Sequence, residues 1–421
     1  IGFKTDPKKE LKRIILSASG VLVPLVFAII INQTILKDKG ADAISRAASI
    51  GAVTTDASIT ARIRYYTDVF NQIKSSPIFG VGLGNWKLKS IDFDKYDING
   101  YVVPYHAHSD FIQLGAELGI IGFISYLGIF FMAIFFAYRY IKNSSSTLEQ
   151  RLFIFLLLVS LGIYSVDASL NFPIARPQVL VVWTLVMSLL SFYYYEQTEQ
   201  QPKKKVSTSF LLLSIVCLLP SLFVTNSVYK SLKGQMYLLS DFNSNKYSVA
   251  MNDIDDIVPN IPNITVTTIP LKSVKARYYF NAKQYDRALE LLNEGTNANP
   301  YLYYSELLKS QIYSAKGQLD SAMYFARTAF FGLPNNSLHS ATYLNLISQL
   351  RDQNALDEAF ELLTAKGDFN NWKNYLIIAN NIMSKGDINT IERAKEAVRL
   401  FPTNSEIKSL FNTIAIGQEN I

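Results

Sequence analysis

The sequence is poor in the side chains that hold metals or form cross-links. Among its 421 residues are one cysteine, Cys217, and three histidines, His106, His108 and His339. A single cysteine excludes an internal disulfide, so a domain outside the cytoplasm must rely on its packed core. The run His106-x-His108-x-Asp110 is too short of partners for a metal site, which needs further His, Cys or carboxylate ligands. The sequence therefore predicts no metal site and no cofactor.

Charged residues are also scarce, at 18%, whereas hydrophobic residues make up 49% of the chain. The mean hydropathy is +0.14. The formal excess of +6 comes from three short segments, residues 1–13, 139–151 and 196–208, which hold eleven basic and five acidic residues. The remainder is neutral, so the basic isoelectric point does not indicate binding to nucleic acid.

Five hydrophobic runs are long enough to cross about 30 Å of hydrocarbon. They cover residues 14–36, 118–138, 152–172, 178–195 and 209–226. Because short basic loops stay in the cytoplasm, the three basic segments predict that the loop 37–117, the turn 172–177 and everything after about 227 face the other side. The chain starts at Ile1 without an initiator Met or a signal peptide, so we expect the C-terminal part of a longer protein.

The large outer loop 37–117 contains a helical segment and a glycine run. Residues 60–75 have the spacing of an amphipathic helix, on which Arg62 and Tyr66 share a face and Arg64 points elsewhere. The glycine run 80–84 lacks the preceding strand and the Gly-Lys-Ser/Thr ending of a nucleotide cradle. It instead predicts a tight backbone turn.

Residues 230–421 have the composition of a separate domain with a helical repeat. Tyr-Asp-x-Ala at 285–288 returns 34 residues later as Leu-Asp-x-Ala at 319–322, and a third unit near Leu356 and Ala359 is out of phase. A 34-residue helix-turn-helix period is typical of tetratricopeptide repeats, which bind a protein or peptide in a groove. The predicted fold is all-α: a membrane domain over 1–229 and a repeat domain over 230–421.

Candidate functional residues are concentrated where the loop 37–117 enters the membrane. His106 and His108 come directly before Ser109, a good N-cap residue, and the hydrophobic run follows. Titratable groups are costly at a membrane entrance unless they line a wet cavity or contact a partner. We expect His108 to be a general base or orienting group, with His106 as its neighbour. Ordinary interfacial contacts are the alternative. Polar residues continue at helical spacing along the predicted helix: Asp110, Gln113 and Glu117.

Four motifs in this region occur in a characteristic order. They are Arg62-x-x-x-Tyr66, Ser-Pro-Ile-Phe-Gly-Val-Gly-Leu-Gly-Asn at 76–85, His-Ser-Asp-Phe-Ile-Gln-Leu at 108–114 and Glu-Leu-Gly-Ile-Ile-Gly at 117–122. The order resembles the O-antigen ligase/polymerase superfamily, which includes lipid A-core O-antigen ligases and protein O-oligosaccharyltransferases. Tyr66 stands where the family usually has Trp, and Ser109 where Asn is common. The resemblance covers roughly 10–195, and the repeat domain is an added module.

The resemblance implies a metal-independent, GT-C-like glycosyltransferase of the bacterial inner membrane. Such an enzyme moves a glycan from undecaprenyl-diphosphate to an acceptor hydroxyl at the periplasmic face, on lipid A-core, another glycan or a protein. By motif position, Arg62 would hold the diphosphate and His108 would activate the hydroxyl. Arg64 and Arg176 are added from location alone, because a guanidinium suits a diphosphate. A lipid headgroup contact is the alternative for Arg176.

The neighbouring polar residues are expected to assist the same reaction. His106, Asp110 and Glu117 are expected to bind or orient substrate, and for Glu117 a packing role is an equal alternative. Asp167, within a predicted span, could pair with an arginine. An O-antigen polymerase or protein O-oligosaccharyltransferase would share these motifs. A membrane anchor that displays the repeats as a scaffold is an alternative of another class.

Overall fold

The computed structural model describes residues 26, 30, 57–143, 146–198, 208–259, 261–384 and 386–416. These residues form helices joined by loops and contain no strand, only an isolated bridge between Ile264 and Pro270. The all-α prediction is therefore confirmed. The chain divides into two compact units, one ending at Thr67 and the other beginning at Asp68. The division falls within helix α1, which covers Ala57–Ser75. The presence of this helix confirms the helix expected over 60–75.

The following helices include the membrane-spanning part. They are α2 (Trp86–Phe93), α3 (Asp110–Lys142), α4 (Leu148–Leu170), α5 (Pro177–Thr198) and α6 (Thr208–Asn243). Among the described residues, four segments are long and apolar enough to span a membrane: Asp110–Lys142, Leu148–Leu170, Pro177–Glu196 and Leu211–Asn243. Four of the five predicted spans are thus confirmed. The first, 14–36, lies outside the described residues apart from Val26 and Ile30.

Helices α3, α4 and α5 pack together through an aromatic core. Tyr126 and Phe130 of α3 are buried against Tyr164 of α4, and Trp183 of α5 stacks on Tyr164 with ring centroids 5.4 Å apart. The outer faces of the same helices remain apolar, as Phe131 shows with 67% exposure. An exposed apolar surface of this kind is typical of helices that face lipid.

Beyond α6 the chain forms paired helices. After the short helix α7 (Ile254–Ile257) come α8 (Leu271–Asn281), α9 (Tyr285–Ala298), α10 (Tyr304–Ala315), α11 (Leu319–Gly332), α12 (Ser337–Leu350), α13 (Gln353–Thr364), α14 (Phe369–Ile382), α15 (Ile388–Leu400) and α16 (Ser405–Ile416). Consecutive helices pack against each other. We call α8–α16 the repeat helices.

The period of these helices is regular. The second helices of successive pairs, α9, α11, α13 and α15, begin at intervals of 34, 34 and 35 residues. Ala288 and Ala322 are fully buried, as expected for small residues at close helix contacts. The motif of the third unit is out of phase, but the helix that contains it begins at the regular interval. The tetratricopeptide assignment and the domain boundary at 229/230, which falls inside α6, stay predictions.

Residues between α1 and α3 pack against the repeat helices. We call residues 94–109, which join α2 to α3, the histidine loop. Ile91 of α2 and Ile98 of this loop are buried in one cluster with Leu308 and Ile312 of α10. The segment directly before α3 and the repeat helices therefore share a core.

Candidate active site

The first described span is broken near its start. Gly119 in α3 has φ 66° and ψ −164°, so the helix stops and restarts at this residue. A break leaves backbone groups without their helical partners, and such groups are costly at a membrane entrance. The glycine run supplies the partners: Val81 N–H donates to the Ala116 carbonyl (3.1 Å) and Gly82 N–H to the Glu117 carbonyl (2.8 Å).

The contact between the glycine run and the broken helix is close enough to require glycine on both sides. A Cβ on Gly80 would lie 2.4 Å from the Glu117 backbone, and one on Gly119 would lie 2.2 Å from the Ile78 carbonyl oxygen. Ile120 N–H completes the contact by donating to the Pro77 carbonyl at 2.8 Å. The predicted tight turn is therefore present, and it fills the break in α3.

Glu117 joins this turn to the histidine loop. Its carboxylate accepts hydrogen bonds from Gly84 N–H (2.8 Å), from Trp86 N–H (3.3 Å) and from the Gln113 side-chain amide (3.2 Å). Gln113 in turn accepts from Ala107 N–H at 3.0 Å, between the two histidines. The polar spacing along α3 thus orders the backbone around the histidines.

Asp110 likewise joins α3 to a second segment of the chain, on the other side of the site. Its carboxylate accepts a hydrogen bond of 2.9 Å from Ile174 N–H, in the 3-10 turn Pro173–Ala175 that joins α4 to α5. Asp110 and Glu117 are only 1% and 3% exposed. Both carboxylates are therefore buried and already accept backbone hydrogen bonds, and their expected role of binding or orienting substrate stays a prediction. Ser109 occupies the N-cap position as predicted, but its side chain makes no cap hydrogen bond.

Three of the predicted basic residues contact the ring of Phe172. His106 stacks on it, with centroids 4.1 Å apart and planes 12° apart, and His108 meets it edge-on at 5.5 Å. The Arg176 guanidinium lies 5.0 Å from the same ring centroid. Arg176 also pairs with Asp167 at 3.8 Å, which is the pairing expected for Asp167. The structure thus brings His106, His108 and Arg176 together at the ends of the spans.

The two histidines differ in the features that the structure gives them. Partial burial lowers the pKa of His106, and the positive charges of Lys87 and Arg176 lower it further. His106 is therefore neutral at pH 7. His108 has φ 57°, in the left-handed region that side chains other than glycine rarely adopt. Strained residues of this kind cluster at functional sites.

An apolar cavity opens beside the site, between α4 and α5. It has a volume of about 280 Å³. Its lining is apolar except for a few polar groups, among them Asp167, the partner of Arg176. The remaining lining includes Tyr164, Val179, Val182 and Trp183. The apolar lining suits a hydrocarbon chain, and Arg176 is the cation next to the cavity through its pair with Asp167.

Two residues at the site were not singled out from the sequence. Phe172 could have been noticed as the aromatic residue that begins the short turn ending at Arg176. Lys87 lies 3.2 Å from the Tyr105 hydroxyl, and the Tyr105 ring meets the His106 ring edge-on at 5.1 Å. In the sequence, only the position of Lys87 shortly after the glycine run indicates that it could belong to the site.

The remaining predicted residues are Arg62, Arg64 and His339. Arg62 and Arg64 belong to the unit that ends at Thr67, where Arg62 interacts electrostatically with Tyr66 and Arg64 lies 5.4 Å from the Tyr65 ring centroid. Their diphosphate role stays a prediction. His339 is fully buried in the repeat helices. Within the described residues, no group of three or more His, Cys, Asp or Glu side chains could hold a metal ion.

Comparison with known proteins supports a ligase superfamily for the segment that builds this site. Residues 6–127 match a family model described as O-antigen ligase. A protein of Rickettsia conorii that carries the provisional name of polysaccharide ligase is 34% identical over 105 residues, which is 24% of each chain. The present chain thus spans about a quarter of that relative's length. No solved structure matches. The matched segment contains the glycine run and both histidines, and it ends before Arg176 and the repeat helices.

Proposed function

We propose that the chain is part of an O-antigen ligase-type glycosyltransferase. It transfers a glycan from a polyprenyl-diphosphate carrier to a hydroxyl of lipid A-core, at the periplasmic face of the inner membrane. The observation that carries this proposal is the assembly of His106, His108 and Arg176 around Phe172, where the broken helix α3 meets the end of α4. The family match to residues 6–127 supports the same type of reaction.

The proposed reaction exchanges one bond for another at the anomeric carbon of the donor glycan. The acceptor oxygen forms a bond to that carbon while the bond to the diphosphate oxygen breaks, and the diphosphate leaves with the bonding electrons. His108 accepts the acceptor's proton, a task that suits an imidazole near pH 7. Arg176 stabilises the negative charge that grows on the leaving group.

In this proposal, the cavity between α4 and α5 binds the lipid part of the donor. Its apolar lining follows the spans, and its polar end at Asp167 is next to Arg176. In the proposed complex the polyprenyl chain lies along this cavity and the diphosphate reaches Arg176. In this scheme Arg176 supplies the positive charge that a metal ion provides in other glycosyl transfers, so a chelator is expected to leave transfer unchanged.

The direct test is glycan analysis of a strain that lacks the gene and is complemented with the wild-type or the His108→Ala chain. We expect the deletion to remove polymer from lipid A-core while lipid-linked polymer accumulates. The wild-type chain should restore transfer, whereas His108→Ala should not, despite equal amounts in the membrane. Short lipid-linked glycans would instead indicate a polymerase. An unchanged glycan profile would indicate the scaffold alternative.

A further inference from the structure

Three side chains of the repeat helices hold the histidine loop. The Lys366 ammonium pairs with the Asp97 carboxylate, and the Asn336 side-chain amide donates a hydrogen bond to the Gly100 carbonyl. The Tyr101 hydroxyl lies 3.0 Å from Nε2 of His339. We call Asn336, His339 and Lys366 the loop anchor. Its members come from two places along the repeats, the start of α12 and the segment after α13.

The anchor is rigid because its buried members are themselves fixed. Asn336 and His339 are fully buried, and the Asn336 side chain also caps α12 by accepting from Leu338 N–H and His339 N–H. Nδ1 of His339 is 2.9 Å from the Ala329 carbonyl. A carbonyl only accepts, so Nδ1 carries the proton and Nε2 accepts the hydrogen bond from Tyr101.

The contacts that fix residues 97–101 also restrict the histidines, because the short segment between them makes further hydrogen bonds. Five residues after Tyr101 comes His106. Between them, the Ser90 hydroxyl donates to the Pro104 carbonyl at 2.6 Å, and Tyr105 contacts Lys87. Ala107 is then tied to α3 through Gln113. The histidine loop is therefore fixed by the repeat helices at one end and by α3 at the other.

We propose that the repeat helices are a working part of the transfer site, in which the loop anchor positions the histidine loop against Phe172. The proposal rests on the transfer function above and names Tyr101, Asn336, His339 and Lys366 as positioning residues. Catalytic groups must be held within fractions of an ångström, and a misplacement of about 1 Å can cost about 10²-fold in rate. Repeats that only bind a protein or peptide would affect acceptor choice or assembly more than the chemical step, and these contacts favour the reverse.

The test compares two Tyr→Phe variants of the full chain in detergent or nanodiscs. Tyr101→Phe removes the hydrogen bond to the anchor. Tyr375→Phe is the matched control, because its buried hydroxyl accepts a hydrogen bond from Arg393 within the repeat helices. We expect Tyr101→Phe to raise hydrogen exchange in residues 97–109 and to lower kcat about tenfold with little change in the donor KM. Tyr375→Phe should change neither.

A charge reversal gives a second, independent measurement. Lys366→Glu should mobilise the histidine loop and lower kcat, and adding Asp97→Lys should restore both. Lys373→Glu is the control, since Lys373 pairs with Glu406 inside the repeat helices. The proposal is overturned if Tyr101→Phe and Lys366→Glu leave loop exchange unchanged, or if exchange rises while kcat stays constant. If the wild-type chain transfers no glycan, the transfer function fails, and hydrogen exchange alone still decides whether the anchor holds the loop.

Discussion

At the scale of single residues, Phe172 has the central place in the site. Its ring carries His106 on its face and His108 at its edge, and the Arg176 guanidinium lies nearby. A fixed ring limits how the imidazoles can rotate, so the two histidines keep distinct orientations toward a substrate. In His106 the ring face is covered by Phe172, whereas His108 is held by an unusual backbone conformation.

The two histidines are therefore expected to differ in function. His108→Ala should lower transfer by about 10²-fold or more, the usual scale for loss of a general base. His106→Ala should have a much smaller effect, because we assign it no proton transfer. Initial rates with a lipid-linked donor measure both. Near-normal transfer by His108→Ala would show that another group accepts the proton.

Arg176 is expected to need its guanidinium and not merely its charge. Arg176→Lys should lower transfer about tenfold, because an ammonium cannot offer a bidentate fork to a diphosphate. Arg139→Lys, in the last turn of α3 at the opposite end of the spans, is the matched control and should be neutral. Rates at saturating donor measure the effect. Equal rates for both variants would support the headgroup alternative for Arg176.

His339 should make stability depend on pH. Burial lowers its pKa from 6.5 to about 4. Between these values the unfolded chain binds more protons, so the free energy of unfolding falls as the pH falls from 6.5 to 4, by up to about 3 kcal/mol. His339→Gln should flatten this part of the profile, measured as the melting temperature of the full chain in detergent between pH 4 and 7. A variant with the wild-type slope would contradict the assignment.

At the scale of elements, the break in α3 depends on a glycine. Gly119→Ala should lower the melting temperature and reduce transfer, because it combines a positive φ with a Cβ 2.2 Å from the Ile78 carbonyl. Strain of this kind costs about 1–3 kcal/mol. Gly128→Ala is the control within the same helix, since its added Cβ meets nothing within 4 Å. Equal melting temperatures for the two variants would show that the break is not constrained.

Most of the elements could be predicted from local patterns in the sequence. Hydrophobic runs fix the spans around 118–138, 152–172 and 178–195, because lipid demands apolar length whatever the neighbours are. The helix that contains the first of these begins earlier, at Asp110. Hydrophobicity does not indicate these first turns, but the N-cap residue Ser109 and the helical spacing of Asp110 and Glu117 do.

The site was predictable only in part, for a related reason. His106, His108 and Arg176 could be picked out because basic residues at a membrane entrance are unusual. That Asp110 bonds to Ile174, 64 residues away, has no sequence signal, and neither has the contact of Tyr101 with His339. Both are contacts between distant segments. Such contacts depend on how helices pack, which periodicity does not encode.

At the scale of the whole molecule, charge and packing together constrain topology. The histidine loop contacts the repeat helices, and α3 and α4 carry the site at one end of the spans. The segment 139–151, with Arg139, Lys142 and Arg151, joins these two helices at their other end. Basic loops of this length remain in the cytoplasm. The site and the repeats are therefore expected on the opposite side of the membrane.

Cysteine labelling of intact spheroplasts tests this arrangement. In a Cys217→Ser background, a membrane-impermeant maleimide should label Val102→Cys on the histidine loop and Ser337→Cys on the repeats, since both positions are exposed. Glu149→Cys, also exposed but in the basic segment, should react only after the membrane is permeabilised. Val102 and Ser337 must give the same result, because Gly100 and Tyr101 contact Asn336 and His339. Protection of both with labelling of Glu149→Cys would invert the topology and exclude a periplasmic acceptor, whereas opposite results for Val102 and Ser337 would contradict the packing itself.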